Sequence, residues 1–207
     1  MLPSSERASH FAHSRDCTAR RAFDMVVIGA SAGGLAALSE LLRELPTTLP
    51  SPVAVVLHLS PSYPSMLVAV LGRVSALPVQ WATDATRLVA GTVTVAPPDR
   101  HVAFLPDGLV SLPRSAPVHF SRPSVDILFG TAARAFGART LGVVLTGNGS
   151  DGSAGVISIH RAGGTVIAQD QATSEFFRMP GEAIETGGVT FVVPLAAIAP
   201  AIAKPPR

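Results

Sequence analysis

The sequence predicts an α/β fold: a doubly wound, mainly parallel sheet with helices on both faces and a β-hairpin in the middle. Three observations carry this. Runs rich in Val and Ile recur, as MVVIGA at 25–30, PVAVVLHL at 52–59, TLGVVLTG at 140–147 and GTVIAQD at 164–170. Unbroken apolar runs of this length belong to strands buried on both faces, as in parallel sheets. Segments of helical period lie between them, so strand and helix alternate. Finally, Pro106-Asp107-Gly108 marks a tight turn within GTVTVAPPDRHVAFLPDGLVSLP at 91–113, the pattern of a strand followed by a hairpin.

Each element has its own warrant. After the first strand, leucines at 35, 38, 41, 42 and 45 form one helical stripe that ends at Pro46. The run at 52–59 is a buried strand that carries His58, and Tyr63–Val74 reads as a helix. PVQWA at 78–82 is a short strand. Ser124 can cap a helix over 125–136, with Val125, Leu128, Ala132 and Phe136 on one face. Strand 140–147 leads into a helix over Ser150–Ala162, and strand 164–170 follows. Short helices over Pro180–Thr186 and Leu195–Ala203 complete the chain. No internal repeat or second core is visible, so residues 24–203 read as one domain behind a flexible extension at 1–23.

Composition excludes several classes. The chain has 207 residues, 47% of them hydrophobic and 14% charged, which marks a core-rich globular protein rather than a disordered one. No apolar run approaches the roughly 18 residues of a membrane span, and the first 24 residues hold no signal-peptide core. A cytoplasmic protein without membrane insertion is expected. The pI near 9.3 does not mark a nucleic-acid binder. Residues 1–22 carry four arginines against two carboxylates, a net of +2, which is the net charge of the whole chain. The body is therefore neutral and offers no broad phosphate-binding face. Cys17 is the single cysteine, and no histidine pair has metal-ligand spacing, so neither a disulfide nor a zinc site is expected.

In a parallel sheet, reactive groups gather beyond the carboxyl ends of the strands, where strand order reverses. The runs here end at Ser31, at His58, at Asp99 and His101, at Asp151, and at Gln169 and Asp170. A serine, a histidine and an aspartate thus fall at one sheet edge. Gly29-Ala30-Ser31-Ala32-Gly33 also fits the G-x-S-x-G strand–turn–helix elbow that holds a nucleophile at its tip. The N–H of Ala32, at the helix start, would face an oxyanion, with a second donor from the Asn148-Gly149 turn. Asp151 would accept the Nδ1–H of His58, leaving Nε2 to deprotonate Ser31.

Each assignment has a rival. A glycine-rich first turn is also how dinucleotide folds hold a pyrophosphate. Here the spacing is G-x-S-x-G-G rather than G-x-G-x-x-G, and His58 stands where an acidic ribose ligand would end the second strand. His101 is the alternative base. His160, beside Arg161 on a helix, reads as structural; His119 lies in a proline-flanked loop and His10 and His13 in the extension. Asp151 alone would be an acidic residue favoured at a helix N-terminus.

Taken together, VVIGASAGG, AVVLHLSP, VTVAPPDRHV, RPSVDILF, GVVLTGNGSDGSAG, GGTVIAQD and MPGEAIETGGV make the chain similar to the catalytic domain of CheB-type chemotaxis protein-glutamate methylesterases over about residues 24–203. The resemblance implies a Ser–His–Asp triad at Ser31, His58 and Asp151, and no metal or organic cofactor. It implies hydrolysis of glutamyl methyl esters on the cytoplasmic helices of chemoreceptors, with deamidation of receptor glutamines in many members. Three positions depart from the family pattern: Ala32 replaces a frequent threonine, Asn148 stands in the usual TGMG turn, and Gly181 replaces an arginine. Residues 1–23 are too few for the receiver domain that usually precedes this one, so its phosphorylation switch is not expected on this chain, and whether a separate regulatory partner replaces it stays open. The alternatives are a non-catalytic nucleotide- or partner-binding module, or an esterase or amidase for another substrate.

Overall fold

The structure is a computed structural model and describes residues 23–58 and 65–204. The chain opens with β1 (Met25–Ala30), α1 (Gly34–Glu44), β2 (Val53–Leu57) and α2 (Leu67–Val74), then β3 (Val79–Trp81) and β4 (Val93–Val95). A hairpin, β5 (Ala103–Phe104) and β6 (Val110–Ser111), precedes α3 (Val125–Phe136). There follow β7 (Thr140–Val144), α4 (Ser153–Arg161), β8 (Thr165–Gln169), α5 (Arg178–Glu185), β9 (Phe191–Val193) and α6 (Leu195–Ala203). Seven strands form one sheet in the order β3-β4-β2-β1-β7-β8-β9, and every pairing within it is parallel. The β5–β6 pair is antiparallel and separate.

The strand pattern explains the two layers of helices. All six residues of β1 are buried, and successive side chains alternate between faces. Val26, Ile28 and Ala30 pack with Leu38, Leu41 and Leu42 of α1 and with leucine and isoleucine side chains of α2 and α6. Met25 and Val27 point the other way, into a core shared with Leu128 and Phe129 of α3 and Val156 and Ile159 of α4. Packing outweighs local capping here. α1 begins after Gly33 with no side-chain cap, which forgoes about 1 kcal/mol. Its three fully buried leucines contribute roughly 1.5–3 kcal/mol each.

Several boundaries differ from expectation. α4 begins at Ser153, not Ser150, because Gly152 takes a left-handed conformation (φ 107°) that closes a turn first. α5 starts two residues early, at Arg178. α2 starts at Leu67, and Tyr63, where that helix was expected to begin, lies outside the described residues. β9 was not expected; it is a three-residue edge strand between Thr190 and Pro194. The proposed extension, with Cys17, His10 and His13, lies outside the described residues except for Phe23. Among the described residues, no helix is long and apolar enough to cross a membrane.

Candidate active site

β1 lies between β2 and β7. The chain first winds to one side of β1 and later returns to its other side through β7, so strand order reverses there and leaves a crevice at the carboxyl edge. Ser31 follows β1, His58 follows β2, and Asp151 lies in the turn after β7. Three adjacent strands therefore deliver the serine, the imidazole and the carboxylate to one crevice.

Backbone hydrogen bonds fix the serine turn. The Ser31 N–H donates to the Thr146 carbonyl beyond β7 at 3.1 Å, and the Ser31 carbonyl accepts the Gly34 N–H at 2.9 Å. Gly33 takes φ 72°, in the left-handed region, which lets the chain reverse from strand to helix within three residues. Gly147 packs directly behind the serine. A Cβ there would lie 2.8 Å from Ser31 Cβ and 2.7 Å from Met179 Sδ. Ala32 belongs to this turn and not to the helix, which starts at Gly34.

The three side chains form a continuous hydrogen-bonded chain. His58 Nδ1 is 3.2 Å from Ser31 Oγ, and His58 Nε2 is 2.8 Å from Asp151 Oδ2. The ring orientation is the reverse of the expected one. His58 is next to Ser31 across one strand spacing, so its nearer nitrogen meets the hydroxyl. Asp151 lies beyond β1, and only the outer nitrogen reaches it. An ionised carboxylate can only accept, so Nε2 carries the proton and the Nδ1 lone pair faces Ser31.

Asp151 sits at a helix N-terminus, although not that of its own helix. Its carboxylate accepts the Val125 N–H at 2.8 Å, the Asp126 N–H at 3.0 Å and the Ser124 hydroxyl at 2.8 Å, all at the start of α3. These are the donors that a helix leaves without internal partners, and the helix dipole adds to their pull on a negative charge. Asp151 is only 3% exposed. Burial pushes its carboxyl pKa up, but His58, the Asp126 and Val125 N–H groups and Ser124 outweigh that and hold it below the usual value.

His101, the alternative base, serves this scaffold. It is fully buried; its Nδ1 accepts the Ser124 N–H at 3.1 Å, and its Nε2 donates to the Ala116 carbonyl at 3.2 Å. Both nitrogens are thereby engaged away from Ser31. The other strand-end residues also brace loops. Gln169 Oε1 accepts the Thr146 N–H at 2.8 Å, and Asp170 Oδ1 accepts the Thr173 N–H at 2.9 Å. Asp99 binds Arg114 and Arg122; the Arg122 hydrogen bond leads in lowering its pKa.

Among the described residues, the N–H groups of Ala32, Asn148 and Gly149 have no acceptor, whereas those of Ser31 and Gly147 are taken by Thr146 and Phe176. A groove of about 580 Å³ is lined by Ser31 and His58 together with Leu35, Ala36, Leu57 and Val70. Among the described residues, no group of three or more His, Cys, Asp or Glu side chains is arranged to hold a metal ion.

Comparison with known proteins places this geometry. Residues 26–202 match the model of the CheB methylesterase family. The chain belongs to that family. It is 44% identical over 183 residues to protein-glutamate methylesterase/protein-glutamine glutaminase 2 of Anaeromyxobacter dehalogenans, covering 87% of this chain and 53% of that one. It is 42% identical over 185 residues to protein-glutamate methylesterase/protein-glutamine glutaminase 1 of Carboxydothermus hydrogenoformans, covering 86% and 54%. The chain thus spans about half the length of these curated relatives. The crystal structure of the Thermotoga maritima CheB methylesterase catalytic domain superposes with a TM-score of 0.84 at 35% identity, covering 89% of this chain and 99% of that one.

Within this CheB fold, sequence reasoning missed the partners of the carboxylate. Ser124 was legible only as a helix cap, and it does accept the Ile127 N–H. Its bond to Asp151 spans 27 residues, a distance over which periodicity carries no signal. Asp126, whose carboxylate accepts the Gly152 and Gly155 N–H groups at 2.9 and 2.8 Å, was likewise unmarked.

Proposed function

We propose that residues 24–203 form a serine esterase domain that hydrolyses glutamyl methyl esters on the cytoplasmic helices of chemoreceptors, and deamidates receptor glutamines by the same route. The observation that carries this reading is the Ser31–His58–Asp151 hydrogen-bond chain, with links of 3.2 and 2.8 Å. The names of the relatives, protein-glutamate methylesterase/protein-glutamine glutaminase, supply the substrate class.

His58 Nδ1 takes the hydroxyl proton as Ser31 Oγ attacks the ester carbonyl. Asp151 steadies the resulting imidazolium through Nε2. The oxyanion is received by the unpartnered N–H of Ala32, with Asn148 and Gly149 supplying the second donor. Loss of one such donor typically lowers the rate by ~10²–10³. Because these donors are backbone groups, Ala32 retains the function that a threonine backbone would give. The tetrahedral adduct collapses, the bond to methoxide breaks, and Nδ1–H returns the proton so that methanol leaves. Water then attacks the acyl-serine with His58 again as base, and glutamate is released. For a glutamine the leaving group is ammonia.

The nucleotide-binding alternative is disfavoured at the turn itself. A Cβ on Gly33 would lie 2.7 Å from Glu175 Oε2, so a carboxylate occupies the place where a pyrophosphate would need donors. The domain is expected to work in the cytoplasm. The test is methanol release from methylated receptor, with the parent protein and Ser31→Ala side by side. Release at the parent rate by Ser31→Ala would sink the proposal.

A further inference from the structure

Phe120 occupies an anomalous position. It has a relative exposure of 104%, the highest of the large hydrophobic residues exposed among the described residues. It sits at the tip of a two-residue turn closed by reciprocal bonds, Val118 N–H to the Ser121 carbonyl at 3.1 Å and Ser121 N–H to the Val118 carbonyl at 2.8 Å. Both tip residues, His119 (φ 47°) and Phe120 (φ 62°), are left-handed. Such turns are least costly with glycine or asparagine. A phenylalanine there combines backbone strain with an apolar ring left in water, and packing inside the fold offsets neither cost.

The turn is nonetheless held firmly, and held to the site. His119 Nε2 lies 3.4 Å from Asp126, whose own N–H binds Asp151. On the other side, Arg122 Nε donates to Asp99 at 2.9 Å and its Nη1 to the Ser115 carbonyl at 2.8 Å. Phe120 and His58 line one cavity of about 140 Å³. Phe120 and His58 therefore border the same cavity, while the apolar groove walled by Leu35 and Val70 is lined by His58 and Ser31 as well. A ligand small enough to fit inside the cavity leaves the outer face of the ring in solvent. Only a substrate that continues past the cavity mouth covers it.

We propose that Phe120 is a specificity residue that grips the polypeptide on which the ester is carried, by packing against an apolar side chain next to the modified glutamate. This rests on the esterase reading and adds to it a residue that discriminates protein-borne esters from small ones. With the turn's backbone already held, contact immobilises only the two torsions of the ring, a small loss of freedom that suits an aromatic to act as an anchor.

The experiment compares two substrates of the same ester chemistry. One is a methylated receptor cytoplasmic fragment; the other is N-acetyl-glutamate γ-methyl ester amide. Phe120→Ala is expected to lower kcat/KM about tenfold on the fragment, mainly through KM, and to leave the small ester within about twofold. Phe120→Leu should recover part of the loss. Leu105→Ala, at an exposed position in the β5–β6 hairpin, should change neither. Equal effects of Phe120→Ala on both substrates, or none on either, would overturn this inference while leaving the esterase reading intact. A parent protein inactive on both substrates would overturn both. Self-association that Phe120→Ala abolishes, with unchanged kinetics, would overturn it in favour of a contact between two copies.

Discussion

Asp151 and Asp126 exchange helix caps: the Asp151 carboxylate accepts the N–H of Asp126 at 3.0 Å, and the Asp126 carboxylate accepts the N–H of Gly152, the residue after Asp151, at 2.9 Å. Each acid thereby satisfies the open end of the other's helix. Their titrations diverge because their surroundings do. Asp126 is raised, first by burial and also by the Asp151 charge, with Gly155 and Gly152 N–H groups opposing. Asp151 is lowered.

A raised carboxyl gives stability that is complete below its unfolded value of 3.8 and lost as pH rises through the folded value. At neutral pH the Asp126 charge therefore works against folding. Asp126→Asn keeps an acceptor for Gly152 and Gly155 and removes that charge, so it should be no less stable than the parent at pH 7. Asp126→Ala leaves two N–H groups unmet and should lose about 1–3 kcal/mol. Urea unfolding at pH 7 checks both.

For Asp151 the sign is opposite. Its contribution is complete above 3.8 and lost as pH falls through the lower folded value. Asp151→Asn presents one carbonyl oxygen to four donors, so it should be less stable than the parent at pH 7, with the gap closing below about pH 3.8. Its kcat on a small ester should fall by about 10⁴. A stability gap that persists unchanged into acid would contradict the account of the carboxylate.

His101 and His58 separate scaffold from chemistry. His101→Ala leaves the Ser124 N–H and the Ala116 carbonyl unsatisfied and empties a buried site, for a loss of about 2–4 kcal/mol. Corrected for the folded fraction, its kcat should stay within about tenfold of the parent, whereas His58→Ala should lose at least ~10³. Equal losses would restore His101 as a candidate base.

Gly147→Ala tests the support behind Ser31, the proposed nucleophile. The added methyl meets Ser31 Cβ and Met179 Sδ; the thioether can swing aside, but the serine Cβ is tied to a fixed turn. Overpacking of this kind costs about 1–3 kcal/mol, and the displaced hydroxyl should lower kcat by about 10² with little change in KM. Steady-state kinetics beside a thermal melt would separate the two effects.

Much of the architecture was legible because parallel strands leave a strong signature. Buried runs such as TLGVVLTG are apolar on both faces, and their carboxyl ends must share an edge, so a strand-end census placed Ser31, His58 and Asp151 at that edge. The ring orientation of His58 was not legible, since it depends on β1 lying between β2 and β7. Asp151 reads locally as an acid before its own helix. It serves α3 instead, because the closed turn at Gly152 delays α4 and leaves the carboxylate facing a neighbour that local sequence does not name. β9 escaped notice because three partly exposed edge residues carry little periodicity.

The central place of β1 has a consequence for synthesis. Ser31 and His58 are separated by 27 residues, but the carboxylate that His58 needs comes 93 residues later. A nascent chain therefore carries its hydroxyl and imidazole well before the carboxylate exists. In the proposed esterase the relay is completed only once Asp151 has been made, 93 residues after His58, so the hydroxyl gains its reactivity after β2, β4 and β7 have all been synthesised.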